Sequence, residues 1–284
     1  MTTTQHTTRN QTPAPAASVS VATSRATANA GVTSRRVVRS EWIKFRSLRS
    51  TRYALAAVAL AIIGLGVFMA IGEVVAEDVS RNGTVDALGG SLSGVGFAEL
   101  LASALGVLLV TGEYSSGSIR LTFTAVPRRL TVLVAKAVVA ALTVFTTAMV
   151  STLLAFTVAQ RLLARDDITL SWTAPGVPRA LIGAALYLAV VSVMGVGFGW
   201  LLRSTAGALM ALFAVFYLLP IIEILLPAST GDRIGPYLPS NAGSAVMRLA
   251  PGPLLEPWTG FAVFVGYALL MLAGAALVLR RRDA

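Results

Sequence analysis

The chain has 284 residues, of which 55% are hydrophobic and only 13% charged, and its mean hydropathy of +0.75 lies far outside the range of a soluble domain. Its formal charge of +10 would suit nucleic acid, but the basic residues sit beside apolar runs, as topology signals and contacts to anionic lipid do, so a nucleic-acid partner is excluded. There is no cysteine, which removes disulfides, thiolate metal sites and cysteine nucleophiles.

Residues 1–34 are rich in Thr, Ser and Ala, with Pro13 and Pro15, and lack an apolar pattern that could offset the entropy of ordering. They are expected to form a disordered tail. No short apolar core with a small-residue cleavage site precedes Arg35, so the tail is not read as a signal peptide.

From 35 to 52 the pattern changes. Val38, Trp42 and Phe45 fall near one side of a helix, and Arg39, Lys44, Arg46 and Ser47 spread over the other. Two readings stay open: an amphipathic helix lying in the membrane interface, or a basic flank that only orients the first span.

A bilayer core about 30 Å thick takes roughly 20 helical residues to cross, and a helix satisfies its own backbone where lipid cannot. Six runs meet that need, at about 53–75, 92–111, 131–159, 179–202, 204–226 and 258–279. The second is short unless it extends outward from Leu92, with Glu99 facing protein or water instead of lipid. Arg203 and Ser204 leave room only for a tight hairpin between the fourth and fifth. The fold class predicted is therefore all-α and integral to a membrane, with 53–284 as the span domain.

Lys and Arg near spans are retained on the cytoplasmic side. With the amino terminus inside, that side takes Arg35 to Arg52, then Arg120, Arg128, Arg129 and Lys136, then Arg203, then Arg280 to Arg282. The other side takes Arg81, Arg161, Arg165, Arg179, Arg233 and Arg248, together with most of the acids. Both termini are expected in the cytoplasm.

The connector 112–130 is too patterned for a plain link. Gly112 and Gly117 have the spacing of a phosphate-binding loop, but Ser118 stands where such a loop needs Lys and no strand precedes it, so a nucleotide site is rejected. Pro127 limits helix continuation, and the Arg128–Arg129 pair can meet headgroups or a partner's carboxylates. In the external loop 227–257 and just before it, Glu223 lies between Pro220 and Pro227. It is either a substrate or gate contact, or a position where the two prolines break the helix and the carboxylate meets water or an Arg such as Arg233. Gly195, Gly197 and Gly199 read as a close-packing seam, with a pore or hinge role as the other possibility.

The run from Ser40 to Thr51, the run Glu113-Tyr114-Ser115-Ser116-Gly117-Ser118-Ile119-Arg120 with Pro127-Arg128-Arg129, and the later Leu238 to Gly243 resemble three segments of ABC-2 type permeases, the membrane subunits of ATP-binding-cassette exporters. The resemblance covers Arg35 to the end of the chain. It implies an exporter fold with an amino-terminal elbow helix at 35–52 and a cytoplasmic coupling loop at 112–130. By the same likeness Glu113, Tyr114, Gly117, Ile119, Arg120, Pro127, Arg128 and Arg129 couple to an ATPase, and Glu41, Trp42 and Lys44 of the elbow support them. The partners implied are two cytoplasmic ATPase subunits, which would bind ATP and Mg, a second permease copy or paralogue, and membrane lipid. No cofactor is expected in this chain, and the location implied is a bacterial plasma membrane. The cargo expected is hydrophobic or amphipathic: a drug, a lipid or a lipid-linked molecule.

Two other classes compete with this one. A membrane enzyme is poorly served, since His6 is the only histidine and lies in the tail, and the adjacent Asp166 and Asp167 read as a solvated connector before a cation site. An ion-driven secondary transporter would call for mid-membrane ionisable groups and internal repeats, and neither is read in the spans, which show no self-similarity.

Overall fold

The computed structural model describes residues 33–75, 83–126, 128–164, 170–249 and 255–281. Most of the amino-terminal tail, Pro127 and the Asp166–Asp167 pair lie outside them, as do Arg81, Arg165 and Arg282. The described part of the chain from Thr33 onward forms one compact unit, and no strand occurs among the described residues.

Helix α1 (Ser34–Ser47) ends at Leu48, whose extended backbone (φ −80°, ψ 122°) separates it from α2 (Arg49–Val75). The elbow is thus shorter than the expected 35–52, and Arg49 to Arg52 belong to the first long helix. The stripe that α1 buries is also different. It runs through Val37, Glu41 and Phe45, spaced i, i+4, i+8, while Trp42 stays 41% exposed and stacks on Phe45 at 6.3 Å. An apolar-moment reading misses this because the central buried residue is a carboxylate.

After α3 (Gly83–Leu92), α4 (Gly94–Ser115) continues the second long apolar stretch, which extends from Leu88 to Ser115 and so passes the expected limit of 111 by four residues. Glu113 and Tyr114 consequently sit on the last helical turn and not in a loop. Gly117, at φ +70°, closes that helix in the left-handed conformation that glycine adopts without strain. The expected coupling loop then folds as a short helix, α5 (Ile119–Ala125), before α6 (Arg129–Leu163) begins.

The third to sixth candidate spans are α6, α7 (Val177–Leu202), the stretch Thr205–Leu225, and α12 (Pro257–Arg281). Together with α2 and the Leu88–Ser115 stretch they make six helical segments long and apolar enough to cross a membrane. The protein is a multi-pass, all-helical membrane protein among its described residues.

The fifth span is three pieces: α8 (Thr205–Phe213), a π turn at Ala214–Leu218, and α9 (Leu219–Leu225). Pro220 accounts for the wide turn, because it has no N–H to return to the carbonyl one turn back. The helix survives Pro220 and stops at Leu226, so only one of the two prolines ends it. Beyond it, most of the predicted loop 227–257 is ordered into α10 (Ala228–Ile234), a 3-10 turn, α11 (Pro239–Ser244) and a second 3-10 turn.

Helix α7 is the centre of the bundle, packed on α4, α6 and α12, and 72% of its apolar stretch is buried. The corresponding figures for α2, the α8–α9 stretch and α12 are 22%, 17% and 22%, which makes these three the outward-facing helices. The α4–α7 seam depends on glycine. A Cβ on Gly106 would fall on the Ser192 carbonyl, and one on Gly195 would fall on that of Ser103. Gly199 meets Val107 and Val110 of α4, whereas Gly197 turns the other way to Met271 of α12.

Gly106→Ala should therefore lower stability by roughly 1–3 kcal/mol, the range of core overpacking. Gly64→Ala, on a helical face with nothing within 4 Å, should be neutral or slightly stabilising. Thermal unfolding of the purified protein in detergent checks both, and equal melting temperatures for the two variants would contradict the seam.

Candidate functional site

At the end of the bundle where α1, α5 and the start of α6 meet, the buried residues Val37, Val110, Ile119, Val132, Leu133, Trp200 and Leu279 share one apolar cluster. The amino-terminal helix and the last turns of α12 thus reach the same end. Within this cluster lies an ionic one. The Lys136 ammonium, 3% exposed, donates to Glu41 Oε2 at 2.8 Å, to Glu113 Oε1 at 2.7 Å and to the Leu109 carbonyl at 3.1 Å. All three of its donors are used.

Lys44 closes the figure. Its ammonium donates to Glu41 Oε1 at 2.8 Å, to Glu113 Oε1 at 3.1 Å and to Thr122 Oγ1 at 3.2 Å. The four charges alternate around a ring, Glu41–Lys136–Glu113–Lys44, and sum to zero. Thr122 in turn donates to Glu113 Oε2 at 3.3 Å. Each member comes from a different place: Glu41 and Lys44 from one face of α1, Glu113 from the end of α4, Lys136 from the second turn of α6, Thr122 from α5. Burial works against the Lys44 charge, but the hydrogen bond and field of Glu41, with those of Glu113, outweigh it and hold Lys44 above the ordinary lysine value.

The neighbouring residue in α5 is held from its other side. Phe123 stacks on Trp200 of α7 at 6.1 Å, Trp200 meets the edge of Tyr114 at 5.7 Å, and the guanidiniums of Arg129 and Arg203 lie over Phe123 and Tyr114 at 4.9 and 5.3 Å. Arg203 takes the left-handed conformation (φ 52°) that the hairpin between α7 and α8 requires. Beside the ring opens a cavity of about 840 Å³, between α1, the start of α2, α4 and α5, lined by Ser40, Ser47 and Ser116 as well as Leu105, Leu109 and Val126.

Of the residues singled out in the sequence, Glu41, Lys44 and Glu113 come together in the ring, and Tyr114 and Arg129 in the aromatic cluster. Ile119 is buried beneath α5, and Arg120 and Arg128 are exposed. Glu223 is far from both groups in the chain's topology: its Oε2 accepts from Asn241 Nδ2 at 3.0 Å, and Asn241 also donates to the Gly235 carbonyl at 2.9 Å. Its partner is thus an amide of the Leu238–Gly243 run and not Arg233. Sequence reasoning counted Lys136 only as a topology charge and passed over Trp200. The available signal was a lysine two turns inside an apolar helix, which must find an anion.

Among the described residues no three or more His, Cys, Asp or Glu side chains converge as a metal-binding set. No protein-family model matches the chain, and no curated protein matches it in sequence.

Removing Lys136 should leave the two carboxylates with only the half-exposed Lys44 as cation, and without the buried one. Lys136→Met is therefore expected to cost about 3–5 kcal/mol, and the triple change to Glu41→Gln, Glu113→Gln and Lys136→Met to recover most of it. Melting temperatures in detergent read this out, and an unaffected Lys136→Met would remove the ring from the account. Because the Lys44 value is raised by folding, its contribution is complete at neutral pH and is lost only as pH rises above the ordinary lysine range. Stability should thus be flat from pH 7 to about 9, with an alkaline decline that is shallower in Lys44→Met.

Proposed function

We propose that this chain is the membrane subunit of an exporter of the ABC-2 type, driven by a separate ATPase that docks on the end carrying the ionic ring. On this reading the ring end, with both termini, faces the cytoplasm of a bacterial cell. Two ATPase subunits hold ATP and Mg, and a second permease copy or paralogue completes the assembly. The resemblance of the elbow and connector runs supports the family. The observation that carries the mechanism is the ring itself, because it joins the elbow helix, α4, α5 and α6 into one body at the point where force would enter.

The physical sequence is short. An ATPase that closes on ATP would push on the exposed arginines around α5, Arg120 and Arg128. The push cannot be absorbed locally, since Thr122 ties α5 to Glu113 and Phe123 ties it to Trp200. It passes instead into α4 and α7, which move together along their glycine seam, as a rigid-body switch between two states. Lys136, Glu113, Glu41 and Lys44 act as positioning residues in this scheme, and the cargo is a hydrophobic or amphipathic molecule released outward.

Charge reversal at Arg120 and Arg128, both exposed and so tolerated by the fold, should abolish co-purification of the ATPase subunit and export with it, while leaving the melting temperature unchanged. Full association and export by that double variant would contradict the docking assignment.

A further inference from the structure

Glu99 stands apart from every other carboxylate the structure describes. Glu41 and Glu113 have lysines, Glu223 has Asn241, and Asp232 and Glu256 are exposed, but Glu99, 7% exposed and in the middle of the second span, pairs with no cation among the described residues. Its Oε2 accepts from the Tyr187 hydroxyl at 2.7 Å, and its Oε1 has no hydrogen-bond partner among the described residues. A carboxylate has about four acceptor positions, so one phenol leaves most of its capacity unmet. At that depth an unpaired carboxylate is expensive, and such groups mark pathways.

What surrounds it is aromatic. Tyr187 stacks on Phe264 at 5.0 Å, Phe264 meets the edge of Phe216 at 6.2 Å, and Tyr217 donates to the carbonyl of Gly96, one turn from Glu99, at 2.8 Å. Phe216 and Tyr217 both lie on the π turn Ala214–Leu218, a local widening of the kind found at functional sites. Gly243 of α11 presses on the Tyr187 ring so closely that a Cβ there would overlap it. Phe97, in the same part of α4, is exposed, and Tyr217 is half-buried, so the seam between α4 and the π turn leads from the lipid-facing surface toward the carboxyl.

We propose that Glu99, with the rings of Tyr187, Phe216, Tyr217 and Phe264, is the binding site for the charged part of the cargo, and that this cargo is a lipophilic organic cation. As an assignment of cargo it rests on the exporter reading. A large cation with delocalised or alkyl-shielded charge loses little hydration on entering an apolar site, gains the free carboxylate oxygen, and is attracted by ring faces. A small inorganic cation would forfeit its hydration shell for one oxygen, and a neutral lipid would gain nothing from the charge. In the conformation described the site is closed, and loading requires the π turn to part from α4.

The test needs no ATPase, so it succeeds or fails apart from the exporter reading. The full-length permease in lipid nanodiscs is titrated with tetraphenylphosphonium and with the neutral triphenylphosphine oxide. Wild type should bind the cation saturably. Glu99→Gln, which keeps an acceptor for Tyr187 and the shape of the side chain, should weaken cation binding by about tenfold or more and leave any binding of the neutral compound unchanged. In wild type, where no substitution can disturb folding, the cation but not the neutral compound should protect Glu99 from dicyclohexylcarbodiimide, read by mass spectrometry. Absence of saturable cation binding by wild type, wild-type affinity in Glu99→Gln, or no protection would each leave Glu99 as a helix-to-helix contact only and overturn the site.

Discussion

A lysine ammonium buried at the end of a membrane bundle can persist only if anions come to it, and Lys136 dictates the arrangement of everything near it. Its two carboxylates sit on different helices, Glu41 on the elbow and Glu113 at the close of α4. The elbow must therefore lie across α6 with its 37-41-45 stripe inward, and α4 must stay helical through Ser115 to bring Glu113 within reach. Lys44 then neutralises the surplus negative charge, and its third donor fixes α5 through Thr122. One desolvated cation thus sets the orientation of four segments. Ion pairs of this kind contribute little net stability compared with apolar packing, and their use lies in admitting only one geometry.

The spans were legible in the sequence because a bilayer imposes a length, and all six apolar runs agree with the helical stretches to within four residues at either end. The second was harder. Its polar last turn, with Glu113 and Tyr114, reads as loop to any rule based on hydropathy, although those residues are helical because their side chains are satisfied by Lys136 and packed on Trp200. The elbow was legible as a helix and misread in rotation, since Trp42 outweighs Glu41 on any apolar scale. The folding of α5 and the ordered layer from Ala228 to Met247 carried no clear periodic signal, being too short to show one. The glycine seam was correctly read for Gly195 and Gly199. The reading could not say that Gly197 faces a different helix, which follows from 100° per residue only once the neighbours are known.

Glu99 and Glu113 lie on one helix, 14 residues apart, which at 1.5 Å per residue is about 21 Å. Between them α4 is locked to α7 by Gly106, Gly195 and Gly199, where backbone meets backbone and little can give. The ring end and the aromatic-lined carboxyl are therefore joined by a single stiff element. On the proposed reading, a displacement imposed on α5 at one end reaches the π turn at the other as a change in how α4 meets it, with Pro220 having already removed the hydrogen bond that would resist.

The proposed reading requires that the ring end face the cytoplasm, where a separate ATPase could reach it. The chain contains no cysteine, so single cysteines report without interference. Placed at Arg128, beside the ring, and at Thr173, in the exposed connector between α6 and α7, they can be challenged with a membrane-impermeant maleimide. The account predicts that Thr173→Cys is labelled in intact cells and Arg128→Cys only after the membrane is permeabilised; labelling of Arg128→Cys in intact cells would contradict it.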